Sequence, residues 1–261
     1  MKIFEFLGLR EVGDGYQMDV VRSHCGGRDS IYGGCGLAAA IEVAERQTGR
    51  PTVWASCHFL GPARLGETVR YECVELARGR AISHVRVRAL VGDKECFSTS
   101  LALGERTFPY EKTWDEMPSV PGPEGLPHRY ILASNKGGFR DFIEERAVTD
   151  DPQGIMRNPD GKAAVWIKMP YPVPPSASAL ALLGDEVSTG TSASIEPDMQ
   201  APSIDNTLRI VTPRECDWVL ADISLQAAGS GFAHGTVNLW SPDGTLLGIA
   251  TQTGVLRVRG T

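Results

Sequence analysis

The feature that most constrains the fold is an order of predicted elements that occurs twice along the chain. Each half has strand-like segments, then a helix, then four strand-like runs, and a Pro/Gly-rich stretch at 118–125 separates the halves. Residues 59–62 (FLGP) align with 210–213 (IVTP), and the turn at 92–94 aligns with 244–246. Such a repeat indicates two copies of one α+β unit. We predict an N-terminal unit at 1–105, a linker at 106–135 and a C-terminal unit at 136–261.

In each unit, a helix is predicted to lie against an antiparallel sheet. In the first unit, Leu37 and Ile41 follow helical spacing and Gly49 falls where the helix should end. The run at 81–91 alternates apolar and charged residues, which is typical of a sheet with one wet face. The second unit repeats the pattern, with strands at 139–148 and 163–171, a helix at 176–184 and further strands near 203–211, 218–226, 231–240 and 246–258.

Composition and charge argue against several classes of protein. The net charge of −6 gives no global attraction to nucleic acid or to an anionic membrane. No apolar run approaches the roughly 18 residues of a membrane span, and Glu5 and Arg10 interrupt any leader-like segment, so a cytoplasmic protein is expected. The six cysteines form no C-x-x-C pair, and no glycine-rich nucleotide motif is present, so neither a metal nor another cofactor is predicted.

Three polar side chains, Asp205, Gln226 and Gln252, lie inside runs that otherwise read as buried strand. A buried carboxylate or amide is costly unless it is hydrogen-bonded or takes part in chemistry. The first half carries no such carboxylate–amide set at the aligned positions, which favours one site per chain, in the second unit. The structural alternative is that Asp205 begins a strand or turn and that each Gln bonds a neighbouring strand.

Gly33 and Gly34 stand at the entrance of the first predicted helix. The free N–H groups of a helix N-terminus favour negative charge, so these glycines are candidates to bind a carbonyl oxygen that becomes negative during a reaction. The alternative is that this entrance needs glycine only for close packing. Ser176 and Ala177, at the start of the second helix, are competing candidates, so the helix that faces the site stays open.

Seven motifs span nearly the whole chain outside the linker: YGGCGL at 32–37, HFLGP at 58–62, SID at 203–205, WVL at 218–220, GFAHG at 231–235, DG at 243–244 and QTGVLR at 252–257. At these residues the chain resembles the acyl-CoA thioesterase II family, in which two hotdog units are joined in tandem. The resemblance implies a double hotdog fold whose second unit holds the hydrolytic water with an Asp, a Ser or Thr, and a Gln. Asp205 and Gln252 fall on the first and last of these positions. An ungapped count puts Gln226 at the middle one, with Ser230 or Ser224 as alternatives.

The implied function is hydrolysis of an acyl-CoA thioester to a free acid and CoA, within fatty acid metabolism. The alternatives are a hotdog enoyl-CoA hydratase or dehydratase, against which the absence of His from the second helix counts, and a non-catalytic acyl-CoA-binding module. Asn206 favours the module, because the family commonly has His there. Exposed sheet edges favour a homo-oligomer. The implied site consists of catalytic Asp205, Gln226 and Gln252 and substrate-binding Gly33, Gly34 and Ser230, without a metal.

Overall fold

The computed structural model describes residues 2–26, 29–131, 135–195 and 199–258. The first unit contains two helices, a 3-10 turn at Arg22–His24 and six strands. Its elements are α1 (Ile3–Phe6), β1 (Arg10–Val12), β2 (Gly15–Asp19), α2 (Gly33–Thr48), β3 (Thr52–Phe59), β4 (Thr68–Arg78), β5 (Ile82–Val91) and β6 (Lys94–Gly104).

The second unit repeats this plan with its helix in two pieces. Its elements are α3 (Phe139–Phe142), β7 (Glu144–Ala147), β8 (Lys162–Lys168), α4 (Ala177–Leu183), α5 (Val187–Ser194), β9 (Met199–Gln200), β10 (Ser203–Ile210), β11 (Val219–Gly229), β12 (Phe232–Trp240), β13 (Leu246–Val255) and β14 (Arg257–Val258). The predicted helix at 176–184 is confirmed as α4. The predicted strand at 139–148 is wrong over its first part, which forms α3.

Within the described residues, twelve strands form one antiparallel sheet that runs through both units. Its order is β1-β2-β4-β5-β6-β3-β10-β13-β12-β11-β8-β7. The units join where β3 pairs with β10, from His58 opposite Asp205 to Trp54 opposite Arg209. We call the face of this sheet that carries α2, α4 and α5 the inner face. Residues that alternate along a strand therefore point to the inner face and the outer face in turn.

The long helices pack against each other on the inner face. In α2, Leu37, Ile41 and the alanines at 38–40 are buried, and α4 is buried throughout. Such small side chains let the two helices approach closely. The α4 N-terminus is fixed by Ser176, whose hydroxyl accepts a hydrogen bond of 3.2 Å from the Ala179 N–H. This packing brings the end of α4 to the beginning of α2, from residues far apart in sequence.

Part of the linker covers the outer face of the second unit. The Trp166 indole donates to the Pro121 carbonyl at 2.9 Å. Met117, Val120 and Leu126 pack on a small apolar cluster of Trp166, Leu220, Trp240 and Leu246. Because the linker shields this cluster, the apolar outer side chains of β8, β11, β12 and β13 are removed from water.

Candidate active site

The candidate site lies where the helix of the second unit is interrupted. α4 ends at Gly184, whose N–H donates to the Leu180 carbonyl at 2.8 Å, and α5 begins at Val187. The two residues between them, Asp185 and Glu186, are both acidic and both buried. A buried carboxylate is costly unless donors compensate it. The groups around the break therefore show what this site can do.

Both oxygens of Asp185 accept hydrogen bonds. Oδ2 accepts from the Gly34 N–H at 2.8 Å, in the first turn of α2, and Oδ1 accepts from Nε2 of Gln252 on β13. The Gln252 amide is itself oriented, because its Oε1 accepts from the Val187 N–H at 2.9 Å. The structure thus brings Gln252 and Gly34, two residues predicted from the sequence, onto one carboxylate that the sequence analysis did not select.

Glycine is required at the α2 entrance by close contacts. A Cβ at Gly33 would lie 2.7 Å from Oδ2 of Asp185 and 2.9 Å from Cζ of Phe59. A Cβ at Gly34 would lie 2.8 Å from the carbonyl oxygen of Ala181. The two positions thus need glycine because other groups approach the backbone closely, and Gly33 lies directly against the Asp185 carboxylate.

The first turn of α2 has one uncommitted donor. The N–H groups of Cys35 and Gly36 donate to the Tyr32 carbonyl at 3.0 and 3.2 Å, and that of Gly34 donates to Asp185. Among the described residues, this leaves the Gly33 N–H as the first-turn donor without an acceptor. It is available to bind an oxygen atom beside Asp185.

A cluster of four charged side chains, three of them buried and Arg129 partly buried, lies behind the Asp185–Glu186 break. Arg140 of α3 forms ion pairs with Glu186 and with Glu145 of β7. Arg129 lies 2.8 Å from Glu145 and 3.5 Å from Glu186. Two cations thus compensate two carboxylates, which buried charges require. The cluster ties Glu186, and with it the break, to the segment that follows the linker.

Tyr32 connects this cluster to α2. Its hydroxyl donates to the backbone carbonyl of Asp185 at 2.8 Å, and the Arg140 guanidinium lies 5.3 Å from its ring centroid. Its ring also stacks on Phe139, with centroids 4.7 Å apart. As the N-cap residue of α2, Tyr32 holds the helix entrance and the break together.

Burial raises the pKa of Asp185 above its ordinary value, because the charged form loses hydration. The neighbouring charge of Glu186 raises this pKa further, whereas the bond from Gln252, the Gly34 N–H and the charge of Arg140 lower it. The raised pKa makes Asp185 a stronger base than an exposed carboxylate, and the hydrogen bonds from Gly34 and Gln252 hold it in one position. The site can therefore take a proton from a bound water.

The structure does not bring Asp205 to this site. Asp205 is paired with Thr253, whereas Gln252 is paired with Asn206, so Asp205 and Gln252 point to opposite faces of the sheet. The Asp205 carboxylate accepts from the Thr253 N–H at 2.8 Å. In this position it fits the structural alternative, in which a strand Asp bonds backbone N–H groups.

Gln226 and Ser230 also lie apart from Asp185. Gln226 is exposed and is the extra residue of a β-bulge in β11. Its amide bonds the Ser224 carbonyl at 2.9 Å and the Thr236 hydroxyl at 3.3 Å. Ser230 and Gly231 form the turn between β11 and β12, both with positive φ, as a two-residue hairpin requires. These positions are explained by hairpin geometry.

Two family models match the sequence. The model described as the acyl-CoA thioesterase N-terminal domain matches residues 21–104, and the one described as the C-terminal domain matches residues 114–256. The second alone covers more than half of the chain. The chain belongs to the acyl-CoA thioesterase family. The predicted resemblance and the predicted class, a thioesterase, are thereby confirmed.

Solved structures of similar proteins agree with this family. A provisionally assigned thioesterase from Novosphingobium aromaticivorans is 28% identical, with 95% of this chain and 98% of that chain covered and a TM-score of 0.84. The acyl-CoA thioesterase II TesB2 from Mycobacterium marinum is 20% identical, with 99% of both chains covered and a TM-score of 0.79. A hotdog protein from Alicyclobacillus acidocaldarius is 17% identical, with 98% of both chains covered and a TM-score of 0.87. The predicted double hotdog fold is confirmed.

A comparison with curated proteins gave no match. In the described part of the thioesterase, no helix has the length and apolar character that a membrane crossing needs. Its described His, Cys, Asp and Glu side chains form no group of three or more that could hold a metal ion.

Asp185 and the cluster behind it do not stand out in the sequence of the thioesterase. A signal was present, because Asp185 and Glu186 directly follow the apolar run 179–183 and the helix-ending Gly184. Two acidic residues there read as an ordinary solvated helix end. Only the packing of α4 on α2 shows that they are buried.

Proposed function

We propose that this thioesterase hydrolyses acyl-CoA thioesters with a water molecule activated by Asp185. The observation that carries the proposal is the buried Asp185 carboxylate, which is held by the Gly34 N–H and by Gln252 where α2 meets the break between α4 and α5. A general base needs a fixed position and a pKa closer to neutrality than that of a free carboxylate. Asp185 has both properties.

In the proposed reaction, the water oxygen attacks the carbonyl carbon of the thioester while Asp185 takes one water proton. The carbonyl π electrons move onto oxygen, and the Gly33 N–H is placed to donate to the resulting oxyanion. When the tetrahedral intermediate collapses, the carbon–sulfur bond breaks and its electrons leave with sulfur. The Asp185 carboxyl then gives its proton to the thiolate, which yields the free acid and CoA.

In this proposal Gln252 and Gly33 belong to the site, as the sequence predicts, whereas Gly34, which is predicted to bind substrate, donates to Asp185 instead. Gln252 orients the base, Gly34 supplies a donor to it, and Gly33 leaves room for the carboxylate. Asp185 takes the part first given to Asp205. The predictions of cytoplasmic location, fatty acid metabolism and homo-oligomer formation stay predictions, and the hydratase and the non-catalytic module stay the alternatives to hydrolysis.

The proposal is tested with purified protein and a panel of acyl-CoAs that covers short, long, branched and aromatic acyl groups, with free thiol detected as it forms. We expect release of CoA from at least one member. Release from none would contradict the proposed function. In a single turnover in ¹⁸O-labelled water, direct attack by water places the label in the free acid. Label in the protein would instead show that Asp185 attacks the thioester and that water opens the resulting anhydride at the Asp185 carboxyl carbon.

A further inference from the structure

One row of buried polar side chains crosses the junction between the two units. On the inner face, Gln252 of β13 is paired with Asn206 of β10, Asn206 with Cys57 of β3, and Cys57 with Thr99 of β6. All four are at most 3% exposed. Directly paired residues on one face have Cβ atoms about 4.5–5.5 Å apart. Asn206 therefore lies next to the Gln252 side chain that holds Asp185.

Asn206 differs from Gln252 in its hydrogen bonds. Both amide atoms of Gln252 are bonded, to Val187 and to Asp185. Neither Oδ1 nor Nδ2 of Asn206 has a partner among the described residues, although its side chain is 1% exposed. Leaving a buried amide unpaired is costly, and Leu208, the next inner-face residue of β10, shows that an apolar side chain fits this strand. An amide at position 206 is thus unfavourable unless a bound molecule pairs with it.

The other donors around Asp185 are largely committed to holding its carboxylate. The Gly34 N–H and Nε2 of Gln252 donate to Asp185, and the Val187 N–H donates to Gln252. Asn206 lies between Gln252 and Cys57, and the charge of Asp185 reaches Cys57 as well. It adds to burial in raising the pKa of that thiol to about 12. Asn206 is therefore within the surroundings of Asp185 and has a free donor.

We propose that Asn206 is a further catalytic residue, whose Nδ2–H group donates to the carbonyl oxygen of the bound thioester and to the oxyanion that forms on attack. This inference rests on the proposed hydrolysis of acyl-CoA. Together with the Gly33 N–H, Asn206 would complete a pair of donors, one from each unit, on the oxygen that becomes negative. Preorganised donors of this kind act mainly on the transition state.

The first test uses Asn206→Leu, which keeps the volume and removes the donor, and Thr99→Val as the matched control in the same row. We expect Asn206→Leu to lower kcat by about 100-fold or more, the usual loss for one oxyanion donor. Its thermal midpoint should be equal to or above that of the wild type, because a buried unpaired amide has been removed. Thr99→Val should keep kcat within about threefold, because it replaces one buried hydroxyl with a methyl group and removes no donor to the substrate. Wild-type kcat in Asn206→Leu would overturn the proposal.

The second test separates a contact with the carbonyl from general damage to the fold. Binding is measured by calorimetry for two CoA analogues that cannot be hydrolysed, a thioether without the carbonyl and a ketone in which methylene replaces the thioester sulfur. Asn206→Leu should weaken binding of the ketone analogue by about tenfold and leave the affinity for the thioether analogue unchanged. Equal changes for both analogues, or none for either, would overturn the role of Asn206. A wild-type protein that releases no thiol would instead contradict the proposed function.

Discussion

Replacing Gly33 with Ala tests how closely the α2 entrance fits the base. The added Cβ would lie 2.7 Å from Oδ2 of Asp185, whereas ordinary contact begins at 3.4 Å, so the carboxylate must move by about 0.7 Å or α2 must shift. The φ of Gly33 is not positive, so the effect comes from this contact rather than from backbone strain. Such overpacking costs about 1–3 kcal/mol of stability. A displacement of about 1 Å at a reacting group costs up to about 100-fold in rate.

We therefore expect Gly33→Ala to lower kcat by about 10- to 100-fold and the free energy of unfolding by about 1–3 kcal/mol. The rate is measured by thiol release from the best acyl-CoA of the panel, and stability by denaturant unfolding. Gly229→Ala is the control, because a Cβ there meets nothing within 4 Å and the φ is not positive. A Gly33→Ala protein with wild-type kcat would refute the placement of Asp185 against α2.

Three further predictions follow from the charges and the faces of the sheet. Arg140 lowers and Glu186 raises the pKa of Asp185. The acidic limb of the kcat–pH profile should therefore move to higher pH in Arg140→Met and to lower pH in Glu186→Gln. Shifts of the same sign would contradict the effect of these two charges on Asp185. Because burial raises the pKa of Asp185 above 3.8, protonation of Asp185 stabilises the folded state. This contribution is complete below pH 3.8 and is lost as the pH rises through the pKa of the folded state. The free energy of unfolding of wild type relative to Asp185→Asn should therefore fall over that pH range in denaturant unfolding. Gln226→Ala and Ser230→Ala, in the exposed hairpin, should keep kcat within about twofold, and a loss above tenfold in either would show that the hairpin reaches the substrate.

Much of the fold could be predicted because the chain repeats a strong local pattern. Helical spacing located α2, the repeated order of elements indicated α4, and alternation in runs such as 81–91 indicated an antiparallel sheet. The pairing of β3 with β10, which joins two sheets into one, could not be predicted, because both strands read as ordinary half-buried strands. Strand pairing is a long-range property that single segments do not specify.

The sequence predicts part of the candidate site, and strand alternation explains why Gln252 lies in it and Asp205 does not. Gln252 shares its inner face with Ala250 and Gly254, which the spacing in the sequence indicates. The same rule places Asn206 with the buried Leu208 on the inner face and leaves Asp205 on the other. The resemblance to the thioesterase family indicates Asp205, whereas the alternation along β10 indicates Asn206 as the inward residue.

The local sequence around Asp185 does not show that this carboxylate is buried. Its partner Gly34 is 151 residues away, and the two meet only because α2 and α4 pack together on one sheet. The Arg140 cluster likewise joins α3 and β7 to a helix break. Buried charges of this kind become recognisable only when the elements that carry their partners are in place.

The proposed mechanism depends most directly on which of two aspartates is the base. Asp185→Asn and Asp205→Asn each remove one carboxylate charge with little change of volume, and kcat for thiol release is measured for both. We predict a loss of about 100- to 10,000-fold for Asp185→Asn, the range for a missing general base. We predict a change within about twofold for Asp205→Asn, whose amide oxygen can still accept from the Thr253 N–H. Near-normal kcat in Asp185→Asn, with the large loss in Asp205→Asn, would contradict the account.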